Sequence, residues 1–247
     1  MQIGPADLPI LILAGGRGQR LGDMTSDRPK PLVEILGRSF LEWQIDRLQA
    51  QGFRRFWISV GYLAKKFQEV PWAKRFPDLH FDFFAESNPL GTGGAVIEIL
   101  EQKWGEKSQP QFLWVVNGDT LLEAPLPDLS SSPFPVTYLA VPPSQAMDAE
   151  PNLAVNKEDA ILEIQSGKGE WLDAGALFFK SLSDTVAWMD LAHEPPYSIH
   201  EALRPGIARQ KLGIFRQSGR CFDMGTPSRL KRLEEFLKAQ PKGIRPW

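Results

Sequence analysis

The chain has 247 residues, enough to bury a full core, and one α/β domain of this size is ordinary. Hydrophobic residues make up 43% and charged residues 23%, which excludes a long disordered segment, and a net charge of −2 provides no electrostatic footprint for nucleic acid. Cys221 is the single cysteine and there are three histidines, so an internal disulfide is excluded and a structural zinc site is not expected. The opening MQIGPADLPI has no basic region before its apolar run, so it does not read as a signal peptide, and no apolar stretch approaches the roughly 20 residues that span a bilayer. A soluble, cytoplasmic protein without a membrane partner is expected.

In chain order, Ile10–Leu13 is four apolar residues without alternation, which predicts a strand buried on both faces of a parallel sheet. It breaks at Ala14 into Gly15-Gly16-Arg17-Gly18-Gln19-Arg20, and Lys30 follows between two prolines. Phe40–Gln51 places Leu41, Ile45 and Leu48 on one helical face, with Gly52 as a stop. Arg55–Val60 and Leu79–Ala85 predict strands, and a helix is expected from near Gly93, carrying Val96, Ile97 and Leu100. Phe112–Val116 is another unbroken apolar strand and delivers Asn117, Gly118 and Asp119 at its end.

Pro125–Pro135 reads as a loop, dividing a nucleotide half (1–124) from a second half (136–247) within one domain. Strands follow at Val136–Val141, Ala160–Ile164 and Ala174–Phe179, then helices at Leu182–Ala192 and Ile199–Ile207, and a strand candidate at Arg220–Phe222. Thr226 fits an N-cap with Pro227 at the first helical position, and the helix behind it would bury Leu230, Leu233 and Leu237. Strands alternating with helices imply a mainly parallel sheet. No internal repeat is present.

Ile10–Leu32 has what a polyphosphate site needs. Glycines after a buried strand let backbone N–H groups converge on an anion, and Arg20 and Lys30 add a planar fork and a compact ammonium. The dinucleotide fingerprint fails here because its sixth position is Leu21, and the nucleotide P-loop fails because Pro31 follows Lys30. A glycine-rich turn with two surface cations is the plainer reading of this stretch alone.

LAGGRGQRL followed by RPKPL resembles the signature of the sugar-1-phosphate nucleotidylyltransferases. The likeness recurs in the family's order at Pro89–Ala95 (PLGTGGA), Asn117–Thr120 (NGDT), Asp173–Gly175 (DAG) and Asp223–Pro227 (DMGTP), and covers nearly the whole chain. The resemblance implies a three-layer, Rossmann-like α/β fold with a mainly parallel mixed sheet. It implies an enzyme that joins a nucleoside triphosphate to a sugar 1-phosphate, releasing pyrophosphate. It further implies that Leu13, Ala14, Gly15, Gly16, Gly18, Arg20, Glu86, Gly91, Thr92 and Gly118 bind the nucleotide, and that Arg20, Lys30 and Asp119 are catalytic. Asp119 and Asp223 match the family's Mg²⁺ ligands, and Lys168, Asp173 and Gly175 fall in its sugar-phosphate region.

The residues temper some of these roles. Asp119 after a buried strand is costly without a cation partner, although a turn aspartate bonding its own backbone is the common fate of a lone Gly-Asp. Asp173 stands where the family has Asn, and so loses two donors and gains a charge. Gly167 replaces a Glu that normally pairs with the lysine at 168, which leaves Lys168 open between a phosphate ligand and a solvated loop lysine. Because the attacking phosphate is already an anion, no general base is needed, in keeping with three histidines outside every motif.

Guanine is the expected base, read by Glu86, or by Asn88 if the register slips. An ionised carboxylate only accepts hydrogen bonds, and guanine offers it two adjacent donors where uracil and thymine offer one N–H between two carbonyls. The PLGTGGA run also resembles the branch that makes GDP-heptose, close to the mannose-1-phosphate guanylyltransferases. Competing readings are a uridylyl- or thymidylyl-transferring relative, a nucleotide-sugar-dependent glycosyltransferase and a silent nucleotide-sensing subunit. Asp119-Thr120-Leu121 lacks the second acid of a glycosyltransferase Asp-x-Asp, and the presence of Arg20, Lys30, Asp119 and Asp223 argues against a silent subunit. Oligomeric state is not legible in the sequence.

Overall fold

A computed structural model describes residues 4–103, 111–146, 149–191 and 194–239. The fold is mixed α/β around a seven-stranded, mainly parallel sheet, and the chain divides into two compact units. One comprises Met1–Ser87, Asn117–Leu121 and Phe222–Trp247, and the other Asn88–Val116 and Leu122–Cys221.

In the first unit the apolar run becomes β1 (Pro9–Leu13), with Ile10, Leu11 and Ile12 fully buried. The glycine-rich turn after it runs into 3-10 turns over Gln19–Thr25, broken at Gly22. Helix α1 (Phe40–Ala50) starts where Ser39 and Glu42 form a reciprocal capping box, which satisfies two otherwise orphaned backbone donors. It buries Leu41, Ile45 and Leu48 and stops before Gly52, whose φ of 100° suits only glycine. Strand β2 (Arg55–Val60) pairs parallel with β1 in the register Leu11↔Trp57. Strand β3 (His80–Ala85) pairs parallel with β2, Ile58 opposite Phe83. Trp72, Phe76, Phe81 and Phe83 cluster with centroids 5.5–6.3 Å apart, so these aromatics serve as packing.

In the second unit, α2 (Gly91–Lys103) buries Val96, Ile97 and Leu100. It is followed by β4 (Leu113–Asn117) and β5 (Val136–Val141), both apolar and almost wholly buried. Strand β6 (Leu172–Phe179) runs antiparallel to both β4 and β5, and is the member that makes the sheet mixed. Helix α3 (Ile199–Ala208) opens with a second capping box, Ser198 with Glu201, and packs against α2. Strand β7 (Leu212–Arg216) pairs parallel with β5. The closing helix, α4 (Pro227–Ala239), returns to the first unit and buries Leu230, Leu233 and Leu237 behind a Thr226 cap.

Most expected elements occur within a residue or two of their predicted ends. The helix expected over Leu182–Ala192 is shorter, ending at Val186, and Ala192 lies outside the described residues. The chain turns there because Asp190 donates its N–H to Ala202 O rather than continuing a helical ladder.

Candidate functional site

The glycine loop and the Asn-Gly-Asp turn meet. Gly118 donates its N–H to Leu13 O at 2.9 Å, and a Cβ on Gly118 would stand 2.8 Å from that oxygen. Only a glycine allows this approach. Gln44 from α1 reinforces the turn, its Nε2 donating to Asn117 O and Thr120 O, both at 2.8 Å. Asp119 leaves the turn and accepts from Lys30 Nζ at 2.5 Å, with Lys30 buried and Asp119 about one-third exposed (35%). Gly18 makes room for the lysine stem. At φ 65° it presents no Cβ, which would otherwise sit 2.9 Å from Lys30 Cβ. A buried ammonium needs a partner, and Asp119 is that partner.

Asp223 is tied to the same turn through the next residue, since Met224 N–H donates to Asp119 O at 3.0 Å. Its carboxylate accepts from Gly225 N–H at 2.7 Å and from Arg229 Nη1 at 2.8 and 3.0 Å. Arg20 is exposed, with its Nη2 close to Gly225. Arg20, Arg229 and Lys30 thus supply three cations around two carboxylates. Arg229 escaped the sequence reading. The position one turn into a helix that begins at Pro227 was its only signal.

Glu86 faces the other side of the glycine loop. It accepts from Ser59 Oγ at 2.8 Å, its N–H donates to Val60 O at 2.8 Å, and a Cβ on Gly15 would lie 2.5 Å from its Oε1. Ala14 N–H donates to Ser59 O at 2.8 Å, so strand ends of β1, β2 and β3 converge on one carboxylate. Gly16 is exposed with open space around it, and Asn88 is exposed.

In the second unit, Gly91 and Gly93 pack against Tyr197. Gly91 has φ 73°, and a Cβ would collide with Tyr197 O. Thr92 Oγ1 accepts Ile199 N–H at 2.9 Å, capping the start of α3. Each of these residues therefore has a packing or capping role in its own unit.

Asp173 Oδ1 accepts Gly175 N–H at 2.8 Å, with Gly175 at φ 72°, and Asn152 Oδ1 accepts Asp173 N–H at 2.8 Å. Asp173 Oδ2 lies 3.0 Å from His200 Nε2. Burial alone would push the His200 imidazolium down, but the Asp173 hydrogen bond and charge, with Glu201, carry its pKa above the usual histidine value. The His200 ring lies against Tyr138, with centroids 5.7 Å apart. The Tyr138 hydroxyl is buried without a hydrogen-bond partner among the described residues, and burial, then Asp173, raise its pKa well above the usual phenol value. His200 was passed over because it sits outside every motif, although the Ser198–Glu201 capping pattern places it in a helix's first turn. Lys168 is an exposed lysine whose Nζ is 3.1 Å from Glu163.

Residues 10–124 match the MobA-like NTP transferase domain. D-glycero-alpha-D-manno-heptose 1-phosphate guanylyltransferase of Campylobacter jejuni is 26% identical over 219 residues, 88% of this chain and 94% of that protein. N-acetylmuramate alpha-1-phosphate uridylyltransferase of Neisseria meningitidis is 25% identical over 237 residues, 93% of this chain and 98% of that protein. The crystal structure of HddC from Yersinia pseudotuberculosis superposes with a TM-score of 0.72 at 25% identity, covering 93% of this chain and 99% of that one. The similarity to the MobA-like NTP transferase domain covers residues 10–124, just under half of the chain, and the similarity to these guanylyl- and uridylyltransferases extends over 88% and 93% of it.

Proposed function

We propose that this protein joins a nucleoside triphosphate, GTP, to the phosphate of a sugar 1-phosphate of the heptose or hexose class, giving a nucleotide sugar and pyrophosphate. The observation that carries the reading is the Lys30–Asp119 pair, held beside the glycine loop by the Gly118–Leu13 hydrogen bond. Whole-length similarity to a heptose 1-phosphate guanylyltransferase supports the substrate class.

Asp119 and Asp223 fit a magnesium ion. The donor set is two part-exposed carboxylates linked through Met224, and Mg²⁺ commonly takes one or two carboxylates with the rest from phosphate and water. Both carboxylates also pair with cations, Lys30 and Arg229, so a bound ion would use the oxygen lone pairs that these partners leave. When bound there, the ion would neutralise charge on the triphosphate.

The chain's own groups do the remainder. Backbone N–H groups of the glycine loop hold phosphate oxygens, and Arg20 clamps them with a planar fork. Lys30 supplies a fixed ammonium for charge that grows at the α-phosphoryl oxygens as the acceptor phosphate attacks in line. Glu86 accepts the N1–H and exocyclic amino group of guanine, and Gly15 leaves its carboxylate room to do so. Because the attacking phosphate is already an anion, the step needs its reactants held in line and no general base.

A pyrophosphate-release assay over GTP, UTP, dTTP, CTP and ATP against heptose, mannose and glucose 1-phosphates tests the reading. Release that needs both GTP and a sugar 1-phosphate is the expected result. Equal or better kcat/KM with UTP or dTTP would overturn the guanine assignment alone, and no release with any pair would overturn the reaction.

A further inference from the structure

His200 has no part in the reaction as described above, yet its Nε2 is the side-chain group that meets Asp173 Oδ2, at 3.0 Å. We propose that His200, seated on Asp173, is the group that binds the phosphate of the incoming sugar 1-phosphate. This inference rests on the reaction proposed above and names a residue for its acceptor side.

Asp173 spends Oδ1 on Gly175 N–H and Oδ2 on His200 Nε2, and its side chain is only 10% exposed. Asp173 is therefore a poor direct ligand for a sugar, despite occupying the position at which the resemblance expects one. A carboxylate can only accept, so the His200 nitrogen facing it must carry a proton. The other nitrogen, Nδ1, has no hydrogen-bond partner among the described residues, and the side chain is one-third exposed (33%). With Nε2 held as a donor, Nδ1 becomes a donor only when the ring is charged. Asp173 favours that charged state, as does Glu201 on the same helix, and Tyr138 on β5 faces the ring as a neutral phenol.

The placement is informative as well. His200 lies in the first turn of α3, where the helix dipole disfavours a cation. Negative charge nearby offsets that effect on a positive ring, and Asp173 supplies one such charge. An acceptor phosphate would supply a second, on the side of the ring that Asp173 leaves open. The Tyr138 ring lies against the imidazole on one side, with centroids 5.7 Å apart, and its own hydroxyl is buried without a hydrogen-bond partner among the described residues. Lys168, the cation that the sequence offers for this task, stands exposed with its Nζ 3.1 Å from Glu163.

The test is steady-state kinetics of the full chain with GTP and the sugar 1-phosphate that the wild type uses, run from pH 6 to pH 9, values chosen to span the histidine range (about 6.5 unperturbed). His200→Ala should raise KM for the sugar 1-phosphate by roughly 10- to 100-fold, the scale of a charge-assisted hydrogen bond, while KM for GTP stays near the wild-type value. In the wild type, KM for the sugar 1-phosphate should climb as the ring deprotonates, and His200→Ala should flatten that climb. His200→Lys should recover part of the loss because it restores the charge, whereas His200→Gln should not. Thermal melting of each variant checks folding, and if His200→Ala is unfolded, the Lys and Gln pair carries the comparison. Unchanged KM for the sugar 1-phosphate, equal rises in both KM values, or full recovery by Gln would each overturn the inference while leaving the reaction standing. A wild type that is inactive with every sugar 1-phosphate would overturn the reaction itself, and this inference with it.

Discussion

Lys30 Nζ and Asp119 Oδ2 stand 2.5 Å apart across 89 positions of sequence, and the lysine is buried while the aspartate is not. The asymmetry matters. The ammonium cannot leave for solvent, so it is fixed where its charge is needed, while the carboxylate keeps one side for another ligand. Lys30→Ala should lower kcat by about two to three decades, as loss of a transition-state donor does. If the variant only raises KM for GTP, Lys30 acts in ground-state binding.

Asp119→Asn should lower turnover by at least about a hundredfold. It should also cost stability, on the order of 1–3 kcal/mol, because Lys30 is left buried with a weaker partner. Turnover near wild type at saturating Mg²⁺ would reject Asp119 as a ligand, and an unchanged denaturant midpoint would reject its structural share.

Asp223→Asn separates the two effects. The amide oxygen can still accept Gly225 N–H, so the turn and the melting temperature should survive. The charge that Arg229 pairs with is gone, and turnover should fall by about a hundredfold. Preserved turnover would remove Asp223 from the metal site.

Gly15→Ala pushes a methyl group to 2.5 Å from Glu86 Oε1. The carboxylate end is flexible enough to move aside, so the fold should hold while base selection suffers. The kcat/KM ratio of GTP to UTP should fall by roughly tenfold or more, as when a site's polar groups lose their partners. Glu86→Gln should lower the same ratio. A ratio unaltered in both variants would assign base reading to another residue.

Gly91→Ala is a test of folding rather than chemistry. It places a Cβ into the Tyr197 backbone at φ 73° and should cost about 2 kcal/mol or more, seen as a lower melting temperature. A wild-type melting temperature would show that the Gly91–Tyr197 approach is dispensable.

The pKa of His200 is raised in the folded chain, so its ion pair with Asp173 stabilises fully below the unfolded histidine pKa, about 6.5, and is lost as pH rises through the higher folded value. Wild-type stability should therefore decline shallowly on the alkaline side of neutrality. Asp173→Asn should remove that slope. An identical pH profile for wild type and Asp173→Asn would mean that the pair contributes nothing to stability.

The features legible in the sequence share one property, which is that each is local. Unbroken apolar runs at Ile10–Leu13 and Phe112–Val116 announce buried strands because no polar residue competes for solvent there. Ser39 with Glu42 and Thr226 with Pro227 announce helix starts because the groups that satisfy a helix end lie within four residues of it. The glycines were equally plain as turns. Their reason was not, since a missing Cβ at Gly118 answers to Leu13, and at Gly91 to Tyr197, both far off in sequence.

What only the tertiary structure decided is which charges meet. Sequence spacing cannot say that Asp223 takes Arg229, that Lys168 is spent on Glu163, or that the Asp at 173 is matched by His200. Those pairings depend on side chains from separate elements arriving within about 3 Å of one another, and a charge-assisted contact falls away within an ångström beyond that. The backbone path that brings them there is set by the whole core, so the motifs name the chemistry while the packing assigns the partners.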